Sequence, residues 1–294
     1  GCPGVEHRGE GGRTAAEQVV ATLDLATKVR LLSGRGFWVL EPVPEADLAG
    51  IVVSDGPYGL RCQAGSGDHL GLAPAAPATC FPPAVLLGST WDADLAHQVG
   101  AAIGLEARAQ GVSVVLGPGL NLKRHPAGGR SFEYYAEDPV LSGRLAAANV
   151  RGIQSQGVGA SVKHFAVNNQ ETDRLRVSAV VDERTLREIY LAGFERVVRD
   201  AGPWTVMCSY HRINGVYASQ DRWLLTDLLR GEWGFDGLVM SDWGAVDDPV
   251  AAVAAGLDLE MPSSKGASAR RIVAAVRAAD LDEAVLDTAI GRLV

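Results

Sequence analysis

No apolar run in this sequence approaches the ~20 residues that a helix needs to cross a bilayer. Basic residues form no stripe either: 27 Lys and Arg are scattered among 35 Asp and Glu, leaving a net charge of −8. An acidic chain without a basic face argues against nucleic acid or an anionic membrane as partner. The four cysteines, Cys2, Cys62, Cys80 and Cys208, show no CxxC or metal spacing. Cys208 lies in an apolar strand pattern and reads as a buried thiol, while pairing of Cys62 with Cys80 is left open. His125, His164 and His211 fall on different loops and there is no HExxH, so no metal site is expected. Nor is there a GxxxxGK[ST] phosphate loop, and no cofactor is called for. Gly and Pro are spread along the chain, which leaves no segment that reads as a disordered linker. Residues 1–13 are Gly-rich and polar, without the basic start and apolar stretch of a signal peptide. Gly1 is not a methionine, however. The chain is therefore read as secreted if a cleaved signal precedes it and as cytoplasmic otherwise.

What is present is enough for one large core: 294 residues, 47% of them hydrophobic and 21% charged. Short β-branched runs alternate with longer helical patterns, the signature of βα units around a parallel sheet. Strands are predicted at 50–54, 84–88, 112–116, 160–163, 205–209, 238–241 and 257–260. Helices are predicted at 92–110, 138–154, 183–200, 221–233 and 267–279. In the first of these, Leu95, Val99, Ile103 and Ala107 share one face, with Asp92 and Asp94 at the favourable end of the helix dipole. The reading is an α/β chain, a (β/α)8-type TIM barrel over residues 17–294 after an extension at 1–16. It is one strand short of ideal, so the barrel is irregular or has a strand that the pattern does not reveal.

In such a barrel chemistry sits where strands end at the C-terminal face. Here the strand ends carry unusual polar clusters. The first gives Asp55 and Arg61, the third leads to Arg130 and Glu133, and the fourth ends in Lys163-His164. The fifth ends Met207-Cys208-Ser209-Tyr210 and the sixth Ser241-Asp242-Trp243. Each has a bland alternative. Asp55 suits a turn, Arg130 can simply pair with Glu133, Asp242 can cap a helix, and a lone Trp is more often core. Their joint placement on one rim favours a site. Carboxylates and charged donors hold sugar hydroxyls with strong hydrogen bonds, and an aromatic such as Trp243 suits the apolar face of a pyranose.

Five segments carry a resemblance: Ser54-Asp55-Gly56-Pro57-Tyr58-Gly59-Leu60-Arg61, the stretch Gly128-Gly129-Arg130-Ser131-Phe132-Glu133 continuing to Pro139, Val162-Lys163-His164 continuing to Glu171, Ser209-Tyr210-His211 continuing to Gly215, and Gly237 to Gly244 with Ser241-Asp242-Trp243 at its centre. Gly256 to Pro262 follows in register. In this order they resemble the N-terminal barrel of family 3 glycoside hydrolases, in the β-glucosidase branch, over roughly residues 17 to 294. The resemblance implies a retaining, exo-acting β-glycosidase with Asp242 as catalytic nucleophile. It implies that Asp55 and Arg61 hold the distal hydroxyls of a glucose in subsite −1. Arg130, Lys163 and His164 would bind the remaining hydroxyls, with Tyr210 near the nucleophile, Trp243 as an aromatic wall and Met207 lining the pocket. In that branch the acid/base is a Glu on a second, C-terminal α/β sandwich domain, which would be absent from these residues. Glu171 and Glu260 sit in no matching motif, and the loop at 166–171 lacks the Gly-His-Gly of the β-N-acetylglucosaminidase branch. The implied partners are a β-glycoside and the chain's own C-terminal domain, with a homodimer left open. Two rival readings stand beside this one: a non-catalytic sugar-binding barrel, and a Schiff-base aldolase using Lys163.

Overall fold

The computed structural model describes residues 14–44, 49–63 and 74–294; Cys2 and most of the expected extension lie outside them. Eight strands are numbered in chain order: β1 Val53–Asp55, β2 Val114–Leu116, β3 Gly159–Phe165, β4 Ser178–Ala179, β5 Thr205–Cys208, β6 Arg212–Ile213, β7 Val216–Tyr217 and β8 Leu238–Ser241. Five of them form a parallel sheet in the order β1-β2-β3-β5-β8. The short β4, β6 and β7 make a separate sheet beside the loop that carries Tyr210.

Beyond β8 the parallel pairing continues through single bridges, Met240 to Leu259 and Ser33 to Glu260. The chain then turns, with Arg35 N–H donating to the Val39 carbonyl at 2.9 Å. Finally Val39 pairs antiparallel with Val52, fixed by Leu40 N–H to Ile51 O and Val53 N–H to Trp38 O, both 2.9 Å. Hydrogen bonds thus run in a circuit from β1 back to β1, the arrangement of an irregular TIM barrel. Two staves were not revealed by the sequence pattern, the one at Ser33 and the antiparallel stretch around Val39.

One prediction is corrected. Residues 84–88 are not a strand but part of the helix Ala84–Thr90. A short apolar run fits either element, and Pro83, which has no N–H to donate, sits at the N-cap and starts a helix. Gly88 lets that helix lie flat on the backbone: a Cβ there would stand 2.0 Å from the Tyr135 carbonyl oxygen. The five predicted helices form, and residues 15–16 of the expected extension already belong to a helix that was not predicted, Ala15–Thr22, capped by Thr14. Cys62, Cys80 and Cys208 are all free thiols, so Cys62 and Cys80 are unpaired with each other here.

The alternation of side chains along each strand decides what points where. Val115, Ala160, Val162, Val206 and Val239 pack outward into the layer under the helices. Val114, Leu116, Met207, Leu238 and Met240 pack inward with Leu259 and Met261. By the same parity Lys163 points inward at the top of β3. At the other end of the barrel, buried Asp258 accepts from Arg230 Nη2 at 2.5 Å, Arg292 Nη1 at 2.7 Å and Val239 N–H at 2.7 Å. Replacing Asp258 with Ala removes the carboxylate partner of two guanidinium groups and is expected to cost about 3–5 kcal/mol, measurable as a lower denaturation midpoint at unchanged m-value.

Candidate active site

The inward parity at the strand ends converges on a cavity of about 180 Å³ lined by Asp55, Arg130, Lys163, His164, Met207, Tyr210, Asp242 and Trp243, with Trp38, Leu116 and Arg174. Of the residues expected there, only Arg61 is off the wall; its side chain is 60% exposed and reaches Asp55 Oδ2 at 3.2 Å from outside. A larger cleft of about 610 Å³ lies between helix Ala15–Thr22 and helix Glu283–Gly291. It lacks a converging set of cations and carboxylates, so size alone does not mark the site.

Lys163 is buried and holds two carboxylates, Asp55 at 3.1 Å and Glu133 at 3.5 Å. Burial alone would lower the ammonium pKa, but Asp55 and Glu133 outweigh it and raise it. Burial likewise pushes the Asp55 carboxyl up, and Lys163 pulls it below the ordinary carboxylate range. Arg130 forks onto Glu133, with Nε to Oε2 at 2.7 Å and Nη2 to Oε1 at 3.0 Å. The bland pairing is therefore real, yet the same Nη2 also stands 2.9 Å from His164 Nε2. A guanidinium can only donate, so Nε2 accepts and the His164 proton sits on Nδ1, facing the Tyr134 hydroxyl at 3.2 Å. Burial and the neighbouring cations hold the His164 pKa well below its usual value, which keeps the ring neutral.

Asp242 ends β8 one residue beyond its last bridge. Its Oδ1 accepts the Trp243 N–H at 2.7 Å. Its Oδ2 is buried, has no hydrogen-bond partner among the described residues, and lies 3.6 Å from His164 Nε2. No helix starts at this point, so the carboxylate is not serving as a cap. Burial raises its pKa, and Arg130, Lys163, the Trp243 N–H and Tyr210 only partly counter that. The Tyr210 hydroxyl donates to the Trp243 carbonyl at 2.8 Å, and Arg174 stacks 4.5 Å from the Tyr210 ring centre. Arg174 is held by Glu171 at 2.9 Å; Glu171 also accepts from Asn168, which bonds the Tyr134 hydroxyl. A buried carboxylate oxygen without a hydrogen-bond partner, on a residue that lines a cavity of fixed charges, is equipped for nucleophilic attack on an electrophilic carbon.

Residues 70–294 match the family described as Glycosyl hydrolase family 3 N terminal domain. The chain belongs to this family. It is 50% identical over 278 residues to thermostable beta-glucosidase B of Acetivibrio thermocellus, covering 95% of this chain and 37% of that protein. It is 53% identical to an exo-alpha-(1->6)-L-arabinopyranosidase of Bifidobacterium longum, over 91% of this chain and 35% of the relative. Among solved structures, beta-glucosidase 3B from Thermotoga neapolitana in complex with glucose superposes with a TM-score of 0.88 at 43% identity, covering 94% of this chain and 41% of that one. The family 3 chain described here thus spans little more than a third of the length of these curated relatives.

Sequence reasoning did not single out three residues of this family 3 cavity. Leu116 could have been found, since it is the inward residue at the end of β2. Arg174 stands in a visibly polar loop, but its packing on Tyr210 joins distant segments. Trp38 gave no signal at all, because it sits on the antiparallel stave.

Proposed function

We propose that this chain is the catalytic barrel of a retaining, exo-acting β-glycosidase, a β-glucosidase in its main activity, with Asp242 as the nucleophile. The observation that carries the reading is the buried, unpartnered Oδ2 of Asp242 beside a neutral His164. Attack by this oxygen on the anomeric carbon would give a covalent glycosyl ester, flanked by an oxocarbenium-like transition state. Arg130 and Lys163 favour the ionised form of the nucleophile. The fixed donors Arg130 and Lys163, with the Asp55 carboxylate and the accepting Nε2 of His164, suit the ring hydroxyls of a sugar in subsite −1. Hydrogen bonds of that kind that tighten as the ring flattens lower the barrier. Arg61 would act from outside, through Asp55.

A retaining enzyme needs a second carboxyl ~5–5.5 Å from the nucleophile. Of the carboxylates near Asp242, Asp55 pairs with Lys163 and Arg61, Glu133 with Arg130, and Glu171 with Arg174. With each committed to a cation, we assign the acid/base to a C-terminal domain outside this sequence. The greater length of the relatives supports that assignment. The aldolase alternative loses ground for a physical reason. A Schiff-base lysine must reach its neutral form, and Asp55 and Glu133 stabilise the charged form of Lys163.

The test is proton NMR of 4-nitrophenyl β-glucoside hydrolysis by the full-length protein. Two displacements at one carbon predict β-glucose as the first product; α-glucose appearing first contradicts the mechanism.

A further inference from the structure

Around the barrel mouth, the polar residues occupy one arc. From Asp55 on β1 the wall passes through Leu116 on β2 to Lys163 and His164 on β3, Tyr210 beyond β5 and Asp242 beyond β8. Among the described residues, the return arc, from Asp242 through the Leu259 and Ser33 bridges to the Val39 stave, brings one side chain to the cavity beside Trp243: Trp38. Its backbone is fixed by the Val53 N–H, and its indole leans on Trp243, ring centres 5.1 Å apart at 41°. Trp38 Nε1 is committed to Gln63 Oε1 at 3.0 Å, and Trp243 Nε1 to the Phe37 carbonyl at 3.0 Å. Both indole N–H groups are thus used up. What this corner offers the cavity is carbon surface.

A pyranose has a matching asymmetry. Its C2, C3 and C4 carry hydroxyls directly on the ring, whereas the ring oxygen carries none and C5 bears hydrogen in a pentose or a hydroxymethyl carbon in a hexose. With C1 at Asp242 and the C4 side at Asp55, the hydroxyl-bearing edge faces the cations and the C5 edge faces Trp38. This orientation rests on the function proposed above. We infer that Trp38 is a specificity-determining residue that packs against the C5 substituent and favours hexopyranosides, which have a carbon there, over pentopyranosides, which have only hydrogen. Binding one such carbon in an apolar pocket discriminates by roughly 10- to 200-fold. The question is a live one for this fold, because similar chains bear the names of a glucosidase and of an arabinopyranosidase.

The test compares kcat/KM for 2,4-dinitrophenyl β-D-glucopyranoside and β-D-xylopyranoside, sugars that differ only at C5. Their leaving group needs no proton, so the readout does not depend on the acid/base. In Trp38→Ala the glucoside-to-xyloside ratio is expected to narrow by at least about 10-fold, and in Trp38→Phe by about 3-fold. If the alanine variant does not fold, the phenylalanine variant decides. A ratio within about 2-fold of the wild-type value in every folded variant overturns the inference, even where both rates fall together. Failure of the wild-type protein to cleave either glycoside would instead overturn the underlying function, and this inference with it.

Discussion

Asp242→Ala is expected to lower kcat for an aryl β-glucoside by at least about 10⁴-fold, the scale seen when one member of a catalytic unit that acts together is removed. The size of the effect follows from what else the cavity holds. Every other carboxylate near Asp242 is tied to a cation, and no described side chain stands ready to attack in its place. The substitution is also a clean one. Oδ2 makes no direct hydrogen bond, so the losses are the Oδ1 contact with the Trp243 N–H and the attraction to Arg130 and Lys163, each of which keeps another carboxylate, and folding should tolerate that. Azide added to this variant should restore part of the rate and give the α-glycosyl azide, because a small anion can occupy the space of the missing carboxylate. A variant within about tenfold of wild type would refute the nucleophile assignment.

Lys163→Met is expected to lower kcat/KM by about 10²- to 10³-fold, in line with the 2–5 kcal/mol lost when a buried, hydrogen-bonded charge pair is broken. Asp55 and Glu133 both face this ammonium, so its loss also unsettles the hold of Arg130 on Glu133. A second consequence has a definite sign. Burial raises the Asp242 pKa, and Lys163 is among the groups that oppose the rise. Without the lysine Asp242 protonates at higher pH. The acidic limb of kcat/KM, where activity falls as pH falls, should therefore move to higher pH in the variant. An unmoved limb would mean that Lys163 does not act on the nucleophile's charge.

Arg130 lies on the loop beyond β2 and was legible from its segment, but most residues legible from sequence share a physical trait: they stand at or near the ends of parallel strands. There, short apolar runs break into polar residues, and strand parity carries Lys163, Met207 and Asp242 to one place. His164 and Tyr210 lie within two residues of such ends. Trp38 was illegible because its stave is short, antiparallel and held by bonds to β1, with no apolar alternation long enough to read. Residues 84–88 misled for the opposite reason, since a buried helix turn and a buried strand have the same composition. Arg61 was read as a wall residue from its place in a segment. That segment turns back, with Arg61 N–H bonding the Asp55 carbonyl, and leaves the guanidinium outside the cavity.

The electrostatics follow a division of labour. Lys163 and Arg130 each bridge from a carboxylate to the cavity, so they are fixed in place and would need no reorganisation to bind the proposed substrate. His164 is kept neutral by burial and by the same cations, and presents its Nε2 beside Asp242 without drawing the Asp242 charge into a full ion pair. The result is a carboxylate that is buried yet left available.

Treating the protein with 2,4-dinitrophenyl 2-deoxy-2-fluoro-β-glucoside and mapping the product by peptide mass spectrometry addresses that carboxylate directly. The fluorine slows breakdown of the glycosyl ester, so one fluoroglucosyl unit per chain should be found, attached at Asp242. A sugar that binds without any covalent adduct, or an adduct on a different side chain, would contradict the account and favour a barrel that holds sugars without cleaving them.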